Sequence, residues 1–337
     1  MEIQVVRTLS EEAWQSFVAE QPQANIFHTP EMFQLFGRAK GYHPTLWAAV
    51  DGDGQPLALL LPVQVTLMGG LARWLTTRAV AYGSVLSAPG AEGNRALEAL
   101  LQAYVQGADR SLLFTELRNL SDLSAVQPVL TTHGFMYEDH LNYLIDLDRP
   151  AEDLLQSFGR RTRKKIRRAL REEAVAIRTV DRREDVAVCY ELLRKSYAAA
   201  QVPLSDQTLF EAAFDVLYPR GMVRFLLAWI GSDCVAGSVE LVFKDTIYGW
   251  YSGVDRDYSA YIPNELLMWH ILEWGATNGY RLYDFGGAGR PDEEYGVREF
   301  KSKFGGELVC YGRNTCVHAP LRLAASQIGY QIYRKFQ

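Results

Sequence analysis

The chain repeats itself, and that repeat limits what it can fold into more than any single motif does. In the first half, Thr45-Leu46-Trp47-Ala48-Ala49-Val50 runs into an Asp-Gly-Asp-Gly turn and then a long apolar stretch from Pro56 to Val65. In the second half, Phe225-Leu226-Leu227-Ala228-Trp229-Ile230 leads through Gly231-Ser232-Asp233 into Val235 to Phe243. Both read as β-hairpins, with turn residues where the reversal must fall. Each is followed by another strand (around 80–87 and 246–254), a helix (93–107 and 263–278) and a short closing strand (111–117 and 281–285). The helices are read from apolar spacing: Ala96, Leu97, Leu100, Leu101 and Tyr104 form one stripe, and Leu266 to Trp274 is apolar nearly all round. Gly107 and Gly279 stand where helix C-caps are wanted. Amphipathic helices at 10–20 and 30–38 precede the first hairpin, and helices at 182–200 and 206–217 precede the second. The expected fold is therefore α+β: two tandem units, each a mixed, mostly antiparallel sheet flanked by helices.

A chain of 337 residues suits two cores better than one. The break is expected at Asp146-Leu147-Asp148-Arg149-Pro150, giving domains 1–147 and 148–317 and a terminal helix over 318–337. No apolar run is long enough to span a bilayer, and Met-Glu-Ile-Gln-Val-Val-Arg at the start is unlike a signal peptide. Cys189, Cys234, Cys310 and Cys316 form no CxxC pair, and the six histidines show no metal spacing. Neither a metal nor a disulfide framework is expected, and the expected location is the cytoplasm, free or peripheral at the inner face of the membrane.

A net charge of −5 argues against general nucleic-acid binding, DNA included. Yet residues 160–171 carry eight cations and no acid; −5 less those eight leaves −13 on the rest. The stretch 151–173 reads as one helix, with Arg160, Arg163, Lys164, Arg167, Arg168 and Arg171 sharing a face and Leu155, Phe158, Ile166, Ala169 and Leu170 roughly opposite. Like charges at such spacings repel, so the stripe calls for an anion: a phosphate, a tRNA backbone, anionic lipid headgroups, or the acidic remainder of the protein. Solvation of the stripe is the plain alternative.

The last distinctive block is Tyr283-Asp284-Phe285-Gly286-Gly287-Ala288-Gly289, followed by Phe300-Lys301-Ser302-Lys303-Phe304-Gly305-Gly306-Glu307. Gly286 and Gly287 permit close approach of a ligand to backbone, and Lys301 stands between aromatic residues. Asp284 and Glu299 are candidate general bases for an attacking amine, and Asp284 at its strand end suits a structural bond to the glycine loop equally well. Arg298 is either a substrate contact or the partner of Glu294. None of the cysteines stands in a nucleophile setting, so a covalent acyl-enzyme is not expected.

The repeat, the basic helix and the DFGG…FK..FGGE ending together resemble the Fem family, the aminoacyltransferases that build peptidoglycan interpeptide bridges, and the related CelD-like acyltransferases. The resemblance spans essentially the whole chain. It implies that each half has a fold like that of the Gcn5-related N-acetyltransferases and that the terminal helix packs back toward the first domain. It implies that Phe300 and Lys301 flank the acyl-transfer site and that Tyr248, Trp250 and Tyr251 supply aromatic substrate contacts. In that setting Lys301 would stabilise the oxyanion formed when an amine attacks an ester or thioester carbonyl, or else bind an acidic substrate group without taking part in the chemistry. Strand alternation puts Tyr248 and Trp250 on one face and Tyr251 on the other unless a bulge intervenes. Glu31 to Phe36 lacks the lysine that bridge-forming members carry there, and Ser196 to Gln201 lacks an arginine.

The donor is an aminoacyl-tRNA or an acyl-CoA. Neither 88–94 nor 259–264 has the glycine-rich turn that usually cradles the CoA pyrophosphate, which favours the aminoacyl ester. The expected function is transfer of an acyl group to an amine on a cell-envelope precursor, a peptidoglycan-type peptide or an amino sugar. The alternatives are acyl-CoA-dependent N-acylation in exopolysaccharide synthesis, and a non-catalytic module that binds anionic polysaccharide or lipid.

Overall fold

A computed structural model describes residues 2–66 and 68–335. They form two compact units. The first comprises residues up to Asp139 together with those from Tyr311 onward, and the second is His140–Cys310.

In chain order the first unit contains β1 (Gln4–Val6), α1 (Glu11–Glu20), α2 (Pro30–Arg38), β2 (Tyr42–Pro44), β3 (Trp47–Val50), β4 (Pro56–Leu60), β5 (Val63–Thr66), β6 (Thr77–Ala81), β7 (Val85–Ser87), α3 (Gly90–Gly107), β8 (Phe114–Arg118), α4 (Gln127–Thr132) and β9 (Met136–Glu138). The second contains β10 (Leu141–Asp146), α5 (Ala151–Ser157), α6 (Arg160–Glu172), β11 (Ala176–Thr179), α7 (Asp185–Ala199), α8 (Gln207–Leu217), β12 (Val223–Ile230), β13 (Asp233–Phe243), β14 (Thr246–Val254), α9 (Pro263–Thr277), β15 (Leu282–Gly287), α10 (Gly296–Ser302) and β16 (Glu307–Cys310). The chain then returns to the first unit with β17 (Arg313–Val317) and α11 (Pro320–Lys335).

The second unit has one sheet, ordered β11-β12-β13-β14-β15-β10-β16. The first has the same plan split in two, β1-β3-β4-β7 and β2-β5-β6-β8-β17-β9. Only β6 with β8 and β14 with β15 run parallel among the described pairs. The split has a local cause. The apolar run expected as one strand from Pro56 to Val65 breaks at Leu61-Pro62, since Pro62 has no N–H to give a ladder. On its two sides β4 pairs with β3 and β7, and β5 with β2 and β6.

The units exchange strands relative to the boundaries expected from the sequence. β10 lies N-terminal to residue 147, yet it sits between β15 and β16 of the second unit. β17 ends at residue 317, within the expected second domain, yet it sits between β8 and β9 of the first unit. A proline-marked linker after Asp146 reads as a boundary, but strand pairing carries the chain across earlier, between β9 and β10. α11 belongs to the first unit, where Arg322 donates to the carbonyls of Arg110 and Leu112 and Ser326 to that of Leu75.

Helix starts follow their caps. Ser10, Thr29 and Asp206 accept backbone N–H groups at the heads of α1, α2 and α8, and Pro30 occupies the first position of α2. The expected C-cap at Gly279 has φ +81°. Gly107 serves a different end: it is the last residue of α3, and a Cβ there would lie 2.7 Å from the Trp47 ring. The helix expected over 151–173 is two helices. Phe158 is buried with its ring edge-on to Trp269 and Phe304, and the Gly159 N–H goes to the Lys303 carbonyl. Turning Phe158 inward takes the chain off the helical path for two residues, Phe158 and Gly159. The core of the second unit gathers Phe158, Trp269, Tyr283, Phe285 and Phe304 around α9, while α7 and α8 cover the other sheet face.

Candidate active site

β14 and β15 are hydrogen-bonded side by side only over Thr246–Tyr248 and Leu282–Asp284. Beyond Tyr248 their pairing stops. β14 continues with β13 through a register shift, Val239 opposite Tyr251 and Glu240 opposite Gly249, leaving Trp250 as the extra residue of a bulge. β15 continues with β10, Asn142 opposite Gly287. Past Tyr248 and Asp284 no ladder pairing joins the two strands, so their backbone there is not tied together by the sheet.

The bulge changes where the aromatic residues go. Simple alternation separates Trp250 from Tyr251, yet both pack on Phe210 of α8, at ring-centroid distances of 6.3 and 4.8 Å. The Tyr251 hydroxyl meets the Ser205 hydroxyl at 2.7 Å. Tyr248 stands beside Asp284 in the parallel register, and burial together with that carboxylate pushes its phenol pKa up. All three aromatic residues keep part of their surface open.

Asp284 and Lys301 meet at the end of β15. Asp284 is only 2% exposed, and its Oδ1 accepts the Gly286 N–H at 2.7 Å. Burial raises its carboxyl to about 6, against the opposing pull of that N–H, of the Lys301 charge and of the Asn142 amide. Lys301 projects from α10 and is 6% exposed. Its Nζ donates to the carbonyls of Phe285 at 2.7 Å, Gly286 at 3.2 Å and Gly287 at 2.8 Å. Burial lowers this ammonium to about 8, with Asp284 holding it up. Gly286 is left-handed at φ +70°, the bend that turns successive carbonyls toward one point.

An ammonium has three protons, and here all three are engaged. The side chain as found is a clamp on the Phe285–Gly287 backbone, a use different from the oxyanion role expected of Lys301. Phe300 packs on Phe304 at 5.2 Å with the Lys303 ammonium 5.0 Å from its ring. Arg298 is a second clamp, its Nε donating to the Ala288 carbonyl at 2.8 Å and its Nη2 to that of Arg290. Gly286 and Gly287 thus carry the loop that Lys301 grips.

Two buried groups escaped the sequence reading. Glu240 of β13 is 2% exposed, and burial raises it to about 7. Tyr283 donates its hydroxyl to Glu240 Oε2 at 2.9 Å, and the same hydroxyl lies 2.7 Å from where a Cβ on Gly249 would stand. An acid inside the apolar run Val235–Phe243 was the available signal. Asn142 came from the far side of the expected domain boundary and had none.

The anion-site candidates lie on α6, and among the described residues their side chains share no hydrogen bond with this constellation. Arg160 and Lys164 are exposed; Arg163 donates to the Gln156 carbonyl at 2.6 Å; Arg167 pairs with Glu152. Among the described residues no group of His, Cys, Asp and Glu could hold a metal ion, and no helix is long and apolar enough to cross a membrane.

Residues 156–302 match the family model described as an acetyltransferase (GNAT) domain. No curated protein sequence matches the chain. Among solved structures, FemX superposes with a TM-score of 0.73 at 16% identity, covering 97% of this chain and 100% of that one. The C-terminal domain of a putative lysylphosphatidylglycerol synthetase from Agrobacterium fabrum gives 0.57 at 13%, covering 96% of each. A tandem GNAT protein from the clavulanic acid biosynthesis pathway gives 0.59 at 12%, covering 95% and 99%. The fold is accordingly a FemX-like tandem of GNAT units, the α+β architecture expected from the repeat.

Proposed function

We propose that this tandem of acetyltransferase-type units is an acyltransferase that forms an amide on an amine-bearing cell-envelope precursor. The observation that carries the reading is the end of β14–β15 pairing at Tyr248 and Asp284, with the bulge at Trp250 just beyond it on one strand and buried Asp284 on the other. An acyl thioester or ester laid against the bulge sets its carbonyl oxygen beside strand backbone, whose N–H groups favour charge developing on that oxygen. The acceptor amine attacks the carbonyl carbon directly, the Asp284 carboxylate takes the amine proton, and that proton passes to the sulfur or oxygen of the donor as it departs as a thiol or hydroxyl. An acid near pKa 6 is ionised at neutral pH and still basic enough for this task. Lys301 holds the Phe285–Gly287 backbone in place, and Tyr248, Trp250 and Tyr251 offer an aromatic wall to the acceptor.

The envelope as the source of the acceptor is supported by the likeness to FemX and to the lysylphosphatidylglycerol synthetase domain. A cytoplasmic location follows from this reading, where such precursors and donors are made. The donor is a CoA thioester or an aminoacyl-tRNA. The match of 156–302 to the acetyltransferase domain favours the thioester, and with it the second reading of N-acylation in exopolysaccharide synthesis.

The test is purified protein supplied with acyl-CoAs or a charged tRNA pool and with peptidoglycan-type peptides or amino sugars, product being read by mass. Thermal stabilisation by CoA separates the two donors. Unchanged turnover in Asp284→Asn would refute the base assignment, and no product with any pairing would refute the class.

A further inference from the structure

We propose that α6 docks the protein on an anionic phospholipid surface. This stands apart from acyl transfer and requires no donor or acceptor.

At 100° per residue, Arg160, Lys164, Arg167 and Arg171 line the outer side of α6, opposite buried Thr162 and Ile166. Three of the eight cations are used inside the unit: Arg163 on the Gln156 carbonyl, Arg167 on Glu152, and Arg168 on Glu172. Arg160, Arg161, Lys164, Lys165 and Arg171 are exposed and form no ion pair among the described residues. Arg160 faces Lys164, and Arg161 faces Lys165, at i, i+4, where like charges destabilise a helix. An external anionic surface removes that repulsion.

Two further observations favour lipid over RNA. Leu170, on the flank of the same helix, is 47% exposed, and Tyr261, 46% exposed, helps line a cavity of about 130 Å³ with Lys165 and Arg168. Exposed apolar and aromatic groups on the flanks of a basic face suit the headgroup boundary of a bilayer, whereas phosphate contacts of RNA have no use for an exposed leucine. The cations also lie on the convex outer side of one helix about 20 Å long, which meets a plane more readily than it tracks a folded strand.

The test is co-sedimentation of the full chain with vesicles of phosphatidylcholine containing phosphatidylglycerol, against phosphatidylcholine alone. Binding is expected only with the anionic vesicles, weakening as salt rises. The triple variant Arg160→Glu, Lys164→Glu, Arg171→Glu is expected to lose at least about tenfold in partition. The variant Arg160→Gln, Lys164→Gln, Arg171→Gln removes charge without adding any and keeps the test valid if the reversal unfolds; it too is expected to lose binding while retaining its circular dichroism. Equal binding to neutral vesicles, unchanged partition of the folded Gln variant, or retention by an RNA hairpin without vesicle binding would each overturn the proposal. No acyl-transfer assay enters, so failure here leaves the catalytic reading standing, and the reverse holds.

Discussion

A lysine that is 6% exposed stays charged only when its surroundings replace water, and three carbonyl oxygens do so for Lys301. Deleting the ammonium leaves those oxygens and the Asp284 charge without it. Lys301→Ala is therefore expected to destabilise the second unit by about 3–5 kcal/mol, measured by urea unfolding. The pair also sets a pH window for catalysis. Asp284, raised to about 6, must lose its proton to act as a base, so kcat/KM should rise as pH increases through that value. Lys301, lowered to about 8, surrenders its clamp as it deprotonates, so the rate should fall above that value. A profile flat from below 6 to above 8 would rule out this pair of roles. The sequence offered Lys301 and Asp284 as site residues on their types and company. It had no means of showing that the ammonium is satisfied by backbone, because that depends on the bend at Gly286.

At the scale of the element, the bulge on β14 rests on a specific prop. The Tyr283 hydroxyl, held by Glu240, fills the space a side chain on Gly249 would need. Gly249→Ala is expected to cost about 1–3 kcal/mol by overpacking. Removing the hydroxyl with Tyr283→Phe should make room, so the double variant is expected to be more stable than the two single losses predict by about 1 kcal/mol, as a double-mutant cycle in urea reports. Simple additivity would mean that the hydroxyl does not shape the bulge. Hairpins and amphipathic helices were legible because period and turn chemistry are local: α1 and α2 fall at 11–20 and 30–38 against an expected 10–20 and 30–38. The bulge and the break at Phe158-Gly159 were not, since each answers to a ring or hydroxyl brought from elsewhere in the unit.

At the scale of the molecule, each unit depends on a strand delivered from the other side of its expected boundary. β9 pairs with β17, and β8 pairs with β17 along Phe114–Arg118. A chain ending at Cys310 is expected to lose amide protection over Phe114–Arg118 and Met136–Glu138 in hydrogen exchange, while a chain ending at Ala319 keeps it. Retained protection in the shorter chain would show that β8 and β9 need no shared neighbour. Composition and repeat made two cores legible; the exchange was hidden because β10 and β17 look like strands of whichever half they follow.

The exchange also inverts the order in which the units are finished on the ribosome. Strands β8 and β9 emerge early, but the strand that belongs between them is encoded after the whole of His140–Cys310. At the usual pace of synthesis that interval is roughly 10–35 s. The unit begun second has all its strands first, and the unit begun first waits with an unzipped sheet, a natural client for chaperones and a ready mark of any chain that stops short.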